Sequence, residues 1–189
     1  MAMVLHMGPT AERSMRSDAR RNRARLIEVA AAAFRDEGLD IGVDELARRT
    51  GVGVATLYRH FPAKTDLISA VMDTVFDELA EAAATALATD DVLALFLRST
   101  VSVQCQNRGF LQALAHHDLP DEVRDGFSRR ALTILEPIVA AGHAAGTFRE
   151  ELDAVDLLVV VRMLGAITTR PERRPADAYI ATLLRGLAQ

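Results

Sequence analysis

The chain has 189 residues, half of them hydrophobic and a quarter charged, with eleven glycines, six prolines and one cysteine. That balance excludes a disordered or fibrous chain, and the single thiol, Cys105, excludes an internal disulfide framework or a zinc site built from several cysteines. The formal charge of −4 argues, as an average, against nucleic-acid binding.

The average does not survive a reading in chain order. Residues 1–64 carry eleven Arg or Lys against eight Asp or Glu, whereas residues 65–189 carry eleven against eighteen, so a basic head precedes an acidic body. Arg13, Arg16, Arg20, Arg21, Arg23 and Arg25 crowd into thirteen residues of that head. Residues 1–18 read as a flexible basic arm, whose arginines have phosphate to meet only if a reading module follows directly. Ala19–Glu37 places Leu26, Ala30, Ala33 and Phe34 on one helical stripe and predicts a first helix, ended by Gly38. Val43–Thr50 predicts a second helix with Asp44 and Glu45 in its first turn and Gly51 at its end. Val54–His60 predicts a third, stopped before Pro62, and a fourth begins near Ala63 and carries Leu67, Val71, Val75 and Leu79 at four-residue steps.

The acidic body reads as further helices over Asp91–Gln106, Phe110–His116, Pro120–Ala145 with a kink or break near Pro137, Ala154–Thr169 and Ala176–Leu187. Asp90 or Asp91, Asp118 and Asp153 suit N-caps, Pro120 a first turn, and Gly146 and the Pro171–Pro175 segment mark ends. The fold class is all-α. The longest apolar run, Leu157–Ile167, is eleven residues and holds Arg162, short of the roughly 20 that a membrane span needs. With no targeting signal at Met1–Thr10, the expectation is a soluble, cytoplasmic protein that does not meet a membrane.

The informative stretch is VDELARRTGVGVATLYRHFPAKTDL, Val43 to Leu67. Two short helices crossing steeply need an apolar inner residue (Leu46), a small one where the second helix passes (Ala47) and a turn residue tolerant of positive φ (Gly51). They also need an apolar plug (Val52) and an inward residue on the second helix (Leu57), with Phe61 and Leu67 extending that core. These spacings predict a helix-turn-helix. By subtraction, Val54, Ala55, Thr56, Tyr58, Arg59 and His60 face outward. Val54 and Ala55 permit close approach to a thymine methyl, Thr56 reaches a base edge or a phosphate, and Arg59 suits bidentate pairing with guanine. Tyr58 and His60 can donate to phosphates, as can Arg23 and Arg48.

The run GVGVATLYRHFPAKTDLI, with the preceding Ala30-x-x-x-Phe34-x-x-x-Gly38, closely resembles the DNA-binding domain of the TetR family of transcriptional regulators, over about residues 20–70. The resemblance implies that Thr56, Tyr58 and His60 contact phosphate or bases and that Lys64 meets the backbone at the start of the fourth helix. One departure is Gly42-Val43, where the family usually has a Thr or Ser able to bind phosphate. The resemblance further implies residues 19–64 as a three-helix DNA-binding domain and residues 65–189 as a larger bundle that binds a small molecule and dimerises through its last two long helices. Leu157, Leu158, Val161, Leu164, Leu183, Leu184 and Leu187 are the residues expected at that dimer interface, being more apolar surface than one helix pair buries. Candidate ligand contacts are the apolar-face residues Met72, Phe76, Phe96, Phe110, Phe127 and Met163, with Gln104, His117 and Arg162 as polar partners.

The sequence thus points to a ligand-responsive repressor that binds a palindromic double-stranded operator as a homodimer and is released by a small molecule. Its competitor is a helical ligand-binding or protein-interaction module that has lost specific DNA binding. No enzyme is expected, since the chain has no Gly-rich phosphate loop, nucleophile elbow or paired-carboxylate site. No cofactor is expected either. His116-His117-Asp118 points in divergent directions on a helix and predicts no metal, and Cys105 reads as a buried structural thiol.

Overall fold

The computed structural model describes residues 9–168 and 176–187, with side-chain surroundings for residues 20–166 and 178–186. The described residues form nine helices. α1 (Pro9–Glu37), α2 (Val43–Thr50) and α3 (Val54–His60) make the head. α4 (Lys64–Leu87) leads into a body of α5 (Val92–Gln106), α6 (Arg108–Ala115), α7 (Asp121–Ala144), α8 (Ala154–Thr168) and α9 (Ala176–Leu187). None of these helices is long and apolar enough to cross a membrane.

Two cores meet inside α4. Its first half, from Leu67 to Val75, packs with Leu26, Ala30, Phe34, Leu46, Leu57 and Phe61 of the head. Its second half, from Phe76 to Ala86, packs with Phe96, Leu135, Ile138, Leu157, Val161 and Ile180 of the body. One helix therefore belongs to both units, and half-buried Met72 and Phe127 touch both cores. On the far side, Arg130 of α7 pairs with Asp73 and Asp77 of α4 and lies over the Phe76 ring at 5.5 Å. This pairing is half-exposed and contributes little on its own.

The head also rests on α6. Phe110 stacks on Phe34 with ring centroids 6.2 Å apart and planes 24° apart. Beside it, Gly109 lies so close to α1 that a β-carbon would collide with the backbone carbonyl of Arg35. A clash with backbone cannot be relieved by a side-chain rotation, so Gly109→Ala should push α6 off α1. We expect it to cost about 1–3 kcal/mol and to lower Tm by roughly 2–12 °C in a domain of this size. Thermal unfolding followed by circular dichroism reads this directly, and an unchanged Tm would show that α6 gives way without loss.

Several expectations are corrected. α1 starts at Pro9 rather than Ala19, so residues 9–18, expected as part of a flexible arm, are helical. Pro9 suits a first helical position, and no Gly or Pro interrupts the stretch from Thr10 to Glu37. α7 runs unbroken through Pro137. Pro137 and Thr133, whose carbonyl loses its helical partner, are both exposed, so the missing bond falls on the solvent side of α7. Asp118 does not cap α7; Pro120 occupies the N-cap position. Asp91 holds the N-cap position of α5 without a side-chain bond. Asp153 does cap α8, its Oδ1 accepting from the amides of Val155 and Asp156 at 2.8 and 2.9 Å. Cys105 is exposed rather than buried, because Phe96, Leu97 and Thr100 occupy the inward face of α5. The Pro171–Pro175 segment lies outside the described residues.

Candidate nucleic-acid interface

The helix-turn-helix is built by α2, α3 and the turn between them. Leu46, Ala47 and Thr50 form the buried side of α2, and the Thr50 hydroxyl donates to the Ala47 carbonyl at 2.9 Å. Gly51 ends the helix at φ 70° and ψ 21°, a left-handed conformation that disfavours a β-carbon. Its amide donates to Arg48 O and that of Val52 to Ala47 O, a Schellman closure that turns the chain sharply. Gly53 starts α3, accepting from the amides of Thr56 and Leu57 at 2.8 and 3.1 Å. Leu57 and Phe61, each 2% exposed, hold α3 to the head core.

That anchoring turns the rest of α3 outward. Ala55, Tyr58 and Arg59 are exposed, while Val54, Thr56 and His60 are half-buried. Tyr58 leaves 46% of its surface in solvent, unusual for a large aromatic residue. Arg59 has no ion-pair partner among the described residues. Arg23 of α1 joins this surface, its guanidinium lying 5.0 Å from the centre of the Phe61 ring. Lys64 opens α4 half-buried, and partial burial holds its ammonium below the usual lysine pKa against the pull of Asp40. The amide of Ala63 donates to Asp66 Oδ2 at 2.8 Å, which closes the start of α4 without a polar N-cap.

Arg48 is the exception. It makes a two-pronged bond to Glu45, at 2.6 and 2.7 Å, and Arg49 bonds Glu45 at 2.7 Å while pairing with Glu37. The spacing of Glu45 from Arg48 and Arg49, three and four residues, is that of helix-surface pairing, a signal that was legible in the sequence and that residues taken singly do not show. The two guanidinium bonds pull the Glu45 carboxyl down to about 2. A carboxyl depressed in the fold adds stability that is complete above its ordinary value and is lost only as pH falls from about 4.5 towards 2. Glu45 therefore stays ionised throughout the neutral range and holds Arg48 in this surface pair. Glu45→Gln should free Arg48 and remove a repelling charge, raising affinity for any duplex several-fold. It should also steepen the dependence of log Kd on log salt by up to about 0.9 per protomer. An unchanged slope in anisotropy titrations would mean that Arg48 does not reach phosphate even when released. Gly42, at the N-cap of α2, offers no side-chain bond.

The structure scatters the residues expected to hold a ligand. Phe96 and Phe76 are fixed in the body core, and Phe110 is locked in the α1–α6 seam rather than lining a pocket. Met163, half exposed, and Arg162, whose guanidinium donates to Ser128 Oγ at 3.1 Å, lie on the outer side of α8. His117 lies near the head, 3.8 Å from Asp40. Gln104 does point inward: its Nε2 donates to Val161 O at 2.7 Å, in the space that Gly165 leaves. Gln104 Oε1 and the hydroxyl of Thr100, one turn away, are buried without a hydrogen-bond partner. Nothing in the sequence around Thr100 singles it out. An open cleft of about 610 Å³, lined by Arg149, Glu151, Leu152, Asp156, Val159, Val160 and Gly186, contains none of the expected ligand residues.

The expected dimer residues are likewise relocated. Leu157, Leu158, Val161 and Leu164 are at most 9% exposed, and Leu183 and Leu184 pack half-buried against the same core, so the monomer itself covers them. The Leu187 side chain lies outside the described residues. Among the described residues, the large apolar side chains of α8 left open are Val155, Val159 and Met163, at 55%, 50% and 50% exposure.

Comparison with known proteins places these features. Residues 26–71 match the family model described as bacterial regulatory proteins, tetR family. The chain is 42% identical over 64 residues to an HTH-type transcriptional regulator of Staphylococcus aureus (strain USA300), an alignment covering 33% of this chain and 35% of that relative. The chain thus spans about a third of the length of the curated relatives it matches. Among solved structures it is similar to the TetR transcription regulatory protein from Mycobacterium vanbaalenii, with 32% identity and a TM-score of 0.64 over 93% of this chain and 99% of that one. It is also similar to PfmR, a TetR family transcriptional regulator from Thermus thermophilus, at 26% identity and a TM-score of 0.66 over 87% and 100% of the two chains.

Proposed function

Since the chain belongs to the TetR family of bacterial regulatory proteins, we propose that it is a dimeric repressor that reads a palindromic operator and is released by a small molecule. The observation that carries the reading is α3, held by Leu57 and Phe61, with exposed Tyr58 and unpaired Arg59 presented to solvent. A helix of seven residues is about 10 Å long, suited to entering a major groove end-on. Thr56 and Arg59 read base edges, Val54 and Ala55 allow the close approach, and Tyr58, His60, Lys64 and Arg23 meet phosphates. The second protomer covers Val155, Val159 and Met163, and the two-fold axis sets the two α3 helices about one DNA turn apart. The acidic body keeps the molecule oriented with its basic end on the duplex.

The effector belongs to the body, where Met72 and Phe127 bridge the two cores and the orphaned oxygens of Thr100 and Gln104 invite a hydrogen bond. Its binding favours a form whose recognition helices no longer match adjacent grooves, and by reciprocity operator DNA weakens the effector.

Selection from a randomised duplex pool, followed by anisotropy titration, tests the reading. The wild-type chain should enrich a palindrome, and Arg59→Ala should relax one guanine position, costing about 1–3 kcal/mol, or roughly 5- to 150-fold. Binding that is equally weak on every sequence would instead favour a module without specific DNA recognition, the reading that uncapped Gly42 encourages.

A further inference from the structure

Of the α1 residues whose side chains are described, residues 20–37, the first buried in the head core is Leu26, and α1 reaches back from it over residues 9–25, about 25 Å of helix at 1.5 Å per residue. Positions 13, 16, 20 and 23 are spaced three, four and three residues apart, which sets them within an arc of about 80° on one face. All four are arginine. Of the two acidic residues in this segment, Asp18 falls on the opposite face and Glu12 at the border of the stripe.

The stripe is continuous with the reading surface. Arg23 lies over Phe61, the residue that directly follows α3, and Arg20 and Arg23 are exposed. From that contact the arginine positions run away along α1 for about 15 Å, the axial length of four to five base pairs. We propose that the N-terminal half of α1 is a second DNA contact, a helical clamp that neutralises phosphates of the duplex flanking each half-site, outside the bases read by α3. This rests on the operator-binding reading above. The contact is independent of sequence, since arginines on a backbone track carry no base code.

Two duplexes test it, both carrying the palindrome selected by the wild-type chain. One ends at the outer edge of the half-sites, and the other continues for about ten base pairs, roughly one helical turn, on each side. The full-length chain is compared with the triple variant Arg13→Gln, Arg16→Gln, Arg20→Gln, which keeps good helix formers and leaves the Arg23–Phe61 contact in place. The wild type should bind the long duplex more tightly and with a steeper salt dependence. The variant should lose that advantage, its slope on the long duplex falling by up to about 2.7 per protomer, while its preference for the palindrome over a scrambled core stays as in the wild type. Equal slopes and equal flank effects in the two proteins would overturn the clamp, and so would loss of the palindrome preference in the variant, which would make these arginines part of base reading. A wild type without any palindrome preference would fail the operator reading itself, a result separate from the effect of flank length.

Discussion

Val159→Asp should convert the protein to a monomer and lower operator affinity by about two to four orders of magnitude. Val155, Val159 and Met163 recur every four residues and form an apolar ridge on the outer side of α8. The same helix turns Leu157, Leu158, Val161 and Leu164 into its own core, so it is apolar on nearly every side. A helix of that kind is ordinarily covered all round, and the described residues supply no cover for this ridge. A carboxylate there would be buried against its symmetry mate without a partner, a cost of several kcal/mol. Monomers would then bring one recognition helix each, and the gain from tethering the second, roughly 10²–10⁴, would be lost. Light scattering coupled to size exclusion reports the mass, and anisotropy on the selected palindrome reports the affinity. A variant that stays dimeric would move the interface elsewhere.

Phe34→Ala should be the most damaging truncation in the head. Phe34 is 0% exposed and stacks on Phe110, so its ring joins α1 both to the reading module and to α6 of the body. Truncating a buried phenylalanine costs about 3–5 kcal/mol, equivalent to a Tm loss of roughly 6–20 °C at this size. The head should unfold first, with operator binding lost at temperatures where the body keeps its helical signal. Phe34→Leu, which refills most of the volume, should recover much of the loss. A cost below about 1 kcal/mol, well under the usual range for such a truncation, would mean that the seam between α1 and α6 collapses onto the gap and is not a packed joint.

The head was legible because its signals are local. The ends of α2 and α3 fall where Gly51, Gly53 and Pro62 place them, and the inner residues Leu46, Ala47, Leu57 and Phe61 follow from their spacing alone. The outward residues of α3 then need no long-range information. Two local rules misled. Pro137 does not break α7, since it faces solvent, and the arginine-rich segment before Ala19 continues α1, since nothing in it stops a helix.

By itself, the sequence determined an all-α chain, a basic head on an acidic body, and a helix-turn-helix with the outward face of its second helix. Each of these depends on residue type and on spacings of no more than about a helical turn or two. Tertiary structure alone decided three other matters. It divided α8 into a covered side and an open ridge, which periodicity cannot do when both sides are apolar. It moved Phe110 from an expected pocket to the joint with Phe34. It left the oxygens of Thr100 and Gln104 buried and unpartnered between helices distant in sequence. What a side chain meets there is set by which helices cross and how closely, and no residue carries that information alone.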